Sequence, residues 1–273
     1  MQFEKIHSQI SPYHRVTPVT IRCTVALAIT VFVAISGARA NAQSESSTMP
    51  FFVDEAPRRF YASAGVGFDF SRGDYGDPAT TNALAIPFAL MLELEPITFR
   101  LSLPYSVADG FENNLSDGNG SEAGDLTASL SYTYYPSAKA LPILDLTTKV
   151  KFPTANDKLG TGKTDVTLQF ELSKSLGSLS GFGSFGYRFK EGFYRDIVLA
   201  SLGAGYRVSR SFSMGVAYDY RQASVRGAQD YHEISPNLSF RSGEHLRFGP
   251  YGVVGLSEPA PNWGLGASVT WIY

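Results

Sequence analysis

The two histidines that follow residue 42 and one Gly-Lys loop are the residues of this sequence best suited to catalysis or phosphate binding. Twelve-stranded barrel phospholipases hydrolyse lipid with a His-x-Ser pair that reaches outward from one strand. His232 is followed two residues later by Ile234, and His245 by Arg247, so neither histidine belongs to such a pair. The sequence therefore predicts structural roles for both histidines and no enzymatic activity, with lipid modification as the least favoured alternative.

Residues 160–164, Gly-Thr-Gly-Lys-Thr, are similar in composition to a phosphate-binding loop. That loop needs a glycine five positions before its second glycine, and it lies between a strand and a helix. Here the position is Asp157, and the residues after Thr164 alternate as in a strand. We therefore expect an exposed hairpin loop. No group of His, Cys, Asp and Glu has metal-ligand spacing, so neither a metal nor a cofactor is predicted.

Charged residues that recur on the polar side of alternating segments are a different kind of candidate. Residues two apart on a strand point to the same face. Those that share a face with Ser, Thr and Gly are predicted to line the lumen of a barrel: Arg100, Asp125, Asp145, Lys149, Lys151, Glu171, Arg188, Arg207, Asp219, Glu233 and Arg247. Two interpretations stay open. The charges form neutralising pairs that rigidify the barrel, or a basic stripe faces an acidic one and orients polar or anionic solutes.

The elements that would position these charges are strands with one apolar and one small polar face. In residues 262–273 the apolar set is Trp263, Leu265, Ala267, Val269, Trp271 and Tyr273, and Gly, Ser and Thr lie between its members. The same alternation is clear in residues 124–135, 164–175 and 211–221. Successive strand side chains point to opposite faces, so this period indicates half-buried strands. In residues 83–95, 195–208 and 244–256 both phases carry apolar residues.

Twelve strand-like segments follow residue 58, each about as long as the 9–11 residues that a tilted strand needs to cross a bilayer. They are 59–70, 83–95, 97–107, 124–135, 142–152, 164–175, 179–190, 195–208, 211–221, 230–241, 244–256 and 262–273. Short connections such as 95–96 alternate with long polar ones such as 108–123. This order predicts an antiparallel up-and-down meander. We expect bulges at Pro87 and Pro236, because proline removes a ladder donor.

The number of strands indicates which face is inside. An eight-stranded barrel is just filled by side chains, and the diameter grows with strand number, so one apolar layer does not fill twelve strands. Tyr and Phe fall at strand ends, where interfacial girdles belong. We therefore predict an all-β transmembrane antiparallel barrel of about twelve strands, with lipid and lipopolysaccharide of the outer membrane on its apolar side.

The first 42 residues resemble a secretory signal peptide. Lys5, Arg15 and Arg22 precede an apolar run at 23–35, and Ala-Asn-Ala at 40–42 fits a signal-peptidase site. The run is shorter than the roughly 20 residues of a spanning helix, which makes an amino-terminal membrane anchor the weaker alternative. The net charge of −2 shows no basic excess, so no nucleic acid partner is expected.

The chain is thus predicted to consist of a signal peptide at 1–42, a periplasmic leader or plug at 43–57 and a barrel at 58–273. A disordered leader is the alternative for the middle segment. The predicted location is the outer membrane of a Gram-negative bacterium. The aromatic last residue, Tyr273, resembles the end of the closing strand that the barrel-assembly machinery recognises, so this machinery is an expected partner.

Several motifs between residues 120 and 190 carry a resemblance to a known family. They are Gly124-Asp125-Leu126, Tyr135-Pro136, Lys149-Val150-Lys151-Phe152-Pro153-Thr154, Leu159-Gly160-Thr161-Gly162-Lys163-Thr164-Asp165 and Leu172-Ser173-Lys174-Ser175-Leu176-Gly177. In this order they resemble the "MetA-pathway of phenol degradation" family of outer-membrane barrels. The resemblance implies passage of small aromatic compounds and no catalytic residues. The predicted function is passive or facilitated uptake of a small solute, and a structural or partner-binding barrel is the alternative.

Overall fold

The structure of the protein, a computed structural model, describes residues 60–76, 80–109, 119–155, 162–192 and 194–273. The predicted signal peptide and the segment 43–57 lie outside the described residues, as do most of the loop 108–123 and part of the loop 153–163. Within the described ranges, no helix is long and apolar enough to cross a membrane.

Thirteen antiparallel strands make up the described fold. β4 has 5 residues, and each of the others has 9 or more. Their bounds are β1 Tyr61–Gly73, β2 Thr81–Leu94, β3 Ile97–Asp109, β4 Asn119–Ala123, β5 Leu126–Tyr134, β6 Ile143–Phe152, β7 Asp165–Leu176, β8 Leu179–Lys190, β9 Ile197–Arg207, β10 Phe212–Arg221, β11 Tyr231–Ser242, β12 Leu246–Gly255 and β13 Trp263–Ile272.

These strands form one closed barrel that the chain crosses twelve times, and we call each crossing a course. β4 and β5 both pair with β3 and follow each other along it, so they are two parts of one course. Every course pairs with the next in sequence, and β13 pairs with β1 to close the sheet. The predicted fold, an up-and-down antiparallel barrel of about twelve strands, is confirmed. Closure gives every described strand except β4 a partner on each side, which is what a spanning sheet requires.

The break between β4 and β5 is a bulge opposite a proline. Tyr105 pairs with Ala123, but Ser102 pairs with Thr127, so the register shifts by one residue between these pairs. Gly124 and Asp125 together lie opposite Pro104, and the Gly124 amide donates to the Pro104 carbonyl at 2.7 Å. Two residues against one define a β-bulge. The sequence predicts a strand that begins at residue 124, and the bulge moves its start to Leu126.

The bulges predicted at Pro87 and Pro236 are absent from the described residues. Pro87 pairs with Pro104, and the register of β2 against both neighbours is the same before and after it. Pro236 pairs with Val216 without a shift, and its register against β12 is also constant. Ladder pairs next to the prolines are missing, so the lost donors interrupt the hydrogen bonding without inserting a residue. This prediction was wrong because a missing amide does not require an extra residue.

The outer face of the barrel is apolar over the middle of each course. Leu90 is 56% exposed and Leu202 is 65% exposed, although both lie near the centre of a strand. Other exposed apolar side chains of this belt are Val66, Phe68, Phe88, Leu92, Leu130, Leu146, Phe170, Val216, Leu265 and Val269. Aromatic residues lie at its two borders, among them Phe60, Tyr134, Phe152, Phe189 and Tyr206. This arrangement matches the apolar band and aromatic girdles of spanning barrels.

The connections differ at the two ends, which we call the short-turn end and the loop end. At the short-turn end β7 and β8 are joined by Gly177-Ser178 alone, and β11 and β12 by residues 243–245. Gly177 and Gly243 have φ of 65° and 66°, a left-handed conformation that glycine adopts without steric cost. The loop end carries the connections that begin after β1, β3, β6, β8, β10 and β12.

Candidate solute passage

The barrel interior holds a cavity of about 500 Å³. Most of the residues that line it come from β1, β2, β3, β11 and β12. From β6, β7 and β8, the described lining residues are Lys149, Gln169 and Ser184. The open space is therefore off the barrel axis, against the wall formed by β1 to β3.

Side-chain size explains where the cavity lies. Many inward residues of β1 and β2 are small, among them Gly65, Gly67, Ala83, Ala85 and Ala89. On β6, β7 and β8 the inward positions include longer charged side chains, such as Lys151, Glu171 and Arg188. Small residues leave volume open and long ones fill it, so the composition of each strand's inner face sets the shape of the passage.

A three-residue charge cluster fills the loop end next to the bulge. Lys151 Nζ lies 2.8 Å from Asp125 Oδ2 and 3.5 Å from Asp165 Oδ2, and the three side chains are nearly buried. Asp125 Oδ1 also accepts the amide of Ala155 at 3.1 Å. The bulge places Asp125 on the inner face. The cluster therefore connects the start of β5 with β6 and β7, and it also contacts the loop that follows β6.

Neighbouring inward pairs continue this network around the barrel. Arg188 Nε donates to Thr167 Oγ1 at 3.1 Å. Between β9 and β10, Ser201 donates to Asp219 at 2.5 Å, and both residues line the cavity. Charges of opposite sign alternate on β5, β6, β7 and β8, in the order Asp125, Lys151, Asp165, Arg188. On this side of the barrel, therefore, the acidic and basic residues are interleaved.

A second cluster lies across the passage on β10 and β11. Glu233 is 2% exposed, and the Tyr231 hydroxyl donates to its Oε2 at 2.5 Å. The Arg221 guanidinium lies 4.3 Å from the centre of the Tyr231 ring, a cation–π distance. Tyr231, Glu233 and Arg221 all line the cavity. They bring a carboxylate, a phenol and a guanidinium to the loop end of the passage.

The structure divides the predicted lumen residues into two groups. Arg100, Asp125, Lys149, Asp219, Glu233 and Arg247 line the cavity. The other five pair across the sheet with residues of the inner face but do not line the cavity: Asp145, Lys151, Glu171, Arg188 and Arg207. For example, Lys151 pairs with Thr127, and Glu171 pairs with Ser184. Their role in solute passage stays a prediction.

Sequence reasoning missed three residues of these clusters, Asp165, Arg221 and Tyr231, and it also missed Tyr251, which lines the cavity. Asp165 shares the phase of Thr167 and Gln169 and could have been found from the alternation alone. Tyr251 lies on β12, one of the strands in which both phases are apolar. Its inward direction follows only from its pairing with Asn237 and Gly266, which lie on the polar face.

Two tyrosines outside the strands lie at opposite ends of the barrel. Burial is the main cause that raises the pKa of Tyr75, whose hydroxyl donates to Ser71 at 2.7 Å at the loop end. At the short-turn end, burial, followed by the negative charges of Glu95 and Glu93, raises the pKa of Tyr135 to about 12. Both phenols are therefore neutral at physiological pH and act as hydrogen-bond donors.

The two histidines and the lysine of the Gly-Lys loop each contact another residue of the chain. His232 Nδ1 lies 2.6 Å from the Tyr218 hydroxyl, and His245 Nδ1 lies 2.8 Å from the carbonyl of Ile272. Lys163 forms an exposed ion pair with Glu191 at 3.9 Å, in the turn that leads directly into β7. Among the described residues, no group of three or more His, Cys, Asp and Glu is arranged to hold a metal ion.

The comparisons with known proteins bear on the fold. No protein-family model matches the chain, and no curated protein matches it. The solved COG4313 outer membrane channel from Pseudomonas putida F1 is similar, with a TM-score of 0.68 and 18% identity over 81% of this chain and 100% of that chain. The translocator domain of the autotransporter NalP from Neisseria meningitidis has a TM-score of 0.51 and 8% identity, over 81% of this chain and 90% of that chain. At these identities the likeness is one of fold, and the chain shares the barrel architecture of these proteins.

Proposed function

We propose that the protein is an outer-membrane β-barrel channel that takes up small solutes by passive or facilitated diffusion. The observation that carries this proposal is the cavity inside a barrel whose outer face is apolar. A soluble barrel would have the opposite arrangement, with its apolar side chains packed inside. The similar barrel from Pseudomonas putida F1 is named an outer membrane channel, which supports the same function for this fold.

The proposal includes an orientation and a location. The even number of courses puts both ends of the barrel domain at the short-turn end, which in outer-membrane barrels faces the periplasm. The apolar belt then contacts outer-membrane lipid and lipopolysaccharide. After export by the signal peptide, the barrel-assembly machinery would recognise β13. The last residue, Tyr273, continues the pairing of β13 by donating its amide to the carbonyl of Ala62 at 2.9 Å.

The proposed solutes are small, with aromatic catabolic substrates as a candidate class. The resemblance of residues 120–190 to the phenol-degradation family supports this class. The wall along β2 also suits an apolar ring, because Ala85, Pro87, Ala89 and Met91 succeed one another on its inner face. Across the cavity from this wall, Asp219 provides a hydrogen-bond acceptor for a polar substituent.

Two adjacent positions on β2 provide a matched test. Ala89 lines the cavity, whereas its neighbour Leu90 points outward and is 56% exposed. The variant Ala89→Trp is expected to lower the single-channel conductance at least roughly twofold, because pore-lining side chains control the free cross-section. Leu90→Trp is expected to leave the conductance unchanged. Planar-bilayer recordings of both purified variants and the wild type measure the difference.

Three results would contradict the channel proposal. The first is a folded wild-type barrel that shows neither conductance nor flux of labelled solutes in liposomes. The second is an equal effect of the Ala89 and Leu90 variants, because it would place the current outside the cavity. The third is a mature protein that stays monomeric and soluble in the absence of detergent.

A further inference from the structure

A tyrosine ring lies along the inner wall of the barrel at a point where three neighbouring strands each contribute one residue. Tyr251 on β12 pairs with Gly266 on β13, and Gly266 pairs with Asp69 on β1. Residues paired across strands face the same side of the sheet, so all three face inward. The Tyr251 hydroxyl donates a hydrogen bond to the Asp69 carboxylate. The tyrosine side chain thus crosses β13 from one neighbour to the other.

Gly266 provides the space for this ring. A Cβ atom added to Gly266 would overlap Cζ, Cε1 and Oη of Tyr251. Gly266 is not among the glycines with positive φ, so its backbone conformation does not require glycine. The requirement is steric, because the ring occupies the volume that any other side chain at this position would fill. An aromatic side chain that covers a glycine on the adjacent strand is a known stabilising arrangement in sheets.

The position of the ring affects the passage directly. Tyr251 and Asp69 line the cavity, and Ala85, the partner of Asp69 on β2, lines it as well. Side chains stand roughly perpendicular to a sheet unless something holds them along it. Without the space at Gly266 the ring of Tyr251 would therefore project from the wall into a cavity of only about 500 Å³.

We propose that Gly266 and Asp69 hold the Tyr251 ring against the wall and that this position sets the width of the passage. The inference rests on the proposed channel function. It makes Tyr251 a residue that determines the size limit for solutes, and it makes Gly266 and Asp69 positioning residues. The hydrogen bond to Asp69 fixes the far end of the ring, and the gap at Gly266 accommodates its edge.

Planar-bilayer recordings on a set of four variants test this arrangement. Gly266→Ala is expected to lower the single-channel conductance at least roughly twofold, because the added methyl group forces the ring toward the axis. The double variant Tyr251→Ala/Gly266→Ala is expected to restore the wild-type conductance or exceed it. Tyr251→Phe keeps the ring but removes its bond to Asp69, and its current is expected to fluctuate between two levels. Gly252→Ala is the matched control, since Gly252 does not line the cavity and its added Cβ lies 3.7 Å from Pro236 Cγ and meets no aromatic ring.

Two results would overturn the inference: a Gly266→Ala channel with wild-type conductance, or a double variant that conducts no better than Gly266→Ala. A Tyr251→Phe channel with a steady wild-type current would remove Asp69 from the arrangement. Each variant is first shown to be folded by its heat-dependent mobility in gel electrophoresis. A wild-type barrel without any conductance would instead contradict the channel proposal, so the two failures are distinguishable.

Discussion

Replacement of Lys151 by methionine is expected to lower the free energy of unfolding by about 3–5 kcal/mol, because it leaves two buried carboxylates without their shared cation. Asp125 and Asp165 have side chains that are 7% and 8% exposed, so water does not replace the lost ammonium group. Methionine keeps most of the aliphatic stem, and the effect therefore reports the charge. Urea unfolding of the barrel in lipid vesicles, followed by the fluorescence of Trp263 and Trp271, measures it.

Two control variants separate burial from charge. The triple variant Lys151→Met/Asp125→Asn/Asp165→Asn removes all three charges and is expected to regain most of the lost stability, since no charge remains within the cluster. Lys163→Met breaks the exposed pair with Glu191, whose side chain is 60% exposed, and is expected to cost only about 0–1 kcal/mol. If Lys151→Met and Lys163→Met had equal effects, the cluster would not be a buried network.

The variant Leu202→Arg is expected to lower the free energy of unfolding from lipid by about 2–4 kcal/mol, because it places a guanidinium on the lipid side at the bilayer midplane. Leu202 lies in the middle of β9 and points outward, where it is 65% exposed. An arginine there keeps the strand geometry, so the cost arises from removing the charge from water. The same unfolding experiment in vesicles measures it.

Val208 provides the matched control at the border of the belt. It follows the end of β9 at the short-turn end and is 49% exposed. Val208→Arg is expected to cost about 0–1 kcal/mol, since lipid-facing charges near the interface are tolerated. A neutral effect of Leu202→Arg, equal to that of Val208→Arg, would mean that the outer face is in water, and the membrane proposal would fail with it.

The strands and their alternation were predictable because both are local properties. In β5, β7, β10 and β13 an apolar residue recurs at every second position, so the two faces are evident without any knowledge of the neighbours. The predicted bounds of these four strands agree with the structure to within two residues. β4 was not predicted. The approximate strand count and the length of the segments then required a closed barrel, since no open sheet spans a bilayer.

The faces of β2, β9 and β12 were not predictable from their own residues. Each carries apolar side chains in both phases, and only the cross-strand pairs decide the direction. On β12, Tyr251 faces inward because it pairs with Gly266, whereas Phe248 faces outward because it pairs with Val269. The bulge at Gly124 and Asp125 depends in the same way on Pro104, a residue of another strand.

The sequence by itself determined that this chain is a twelve-course barrel with an apolar and a polar face, because a period of two residues and the alternation of short and long connections are written along the chain. Only the tertiary structure decided which inward residues meet. Asp69 and Tyr251 are far apart in sequence, and they are joined only because β13 closes the barrel onto β1. A register that depends on closure is a property of the whole sheet, so no single segment encodes the contacts that shape the passage.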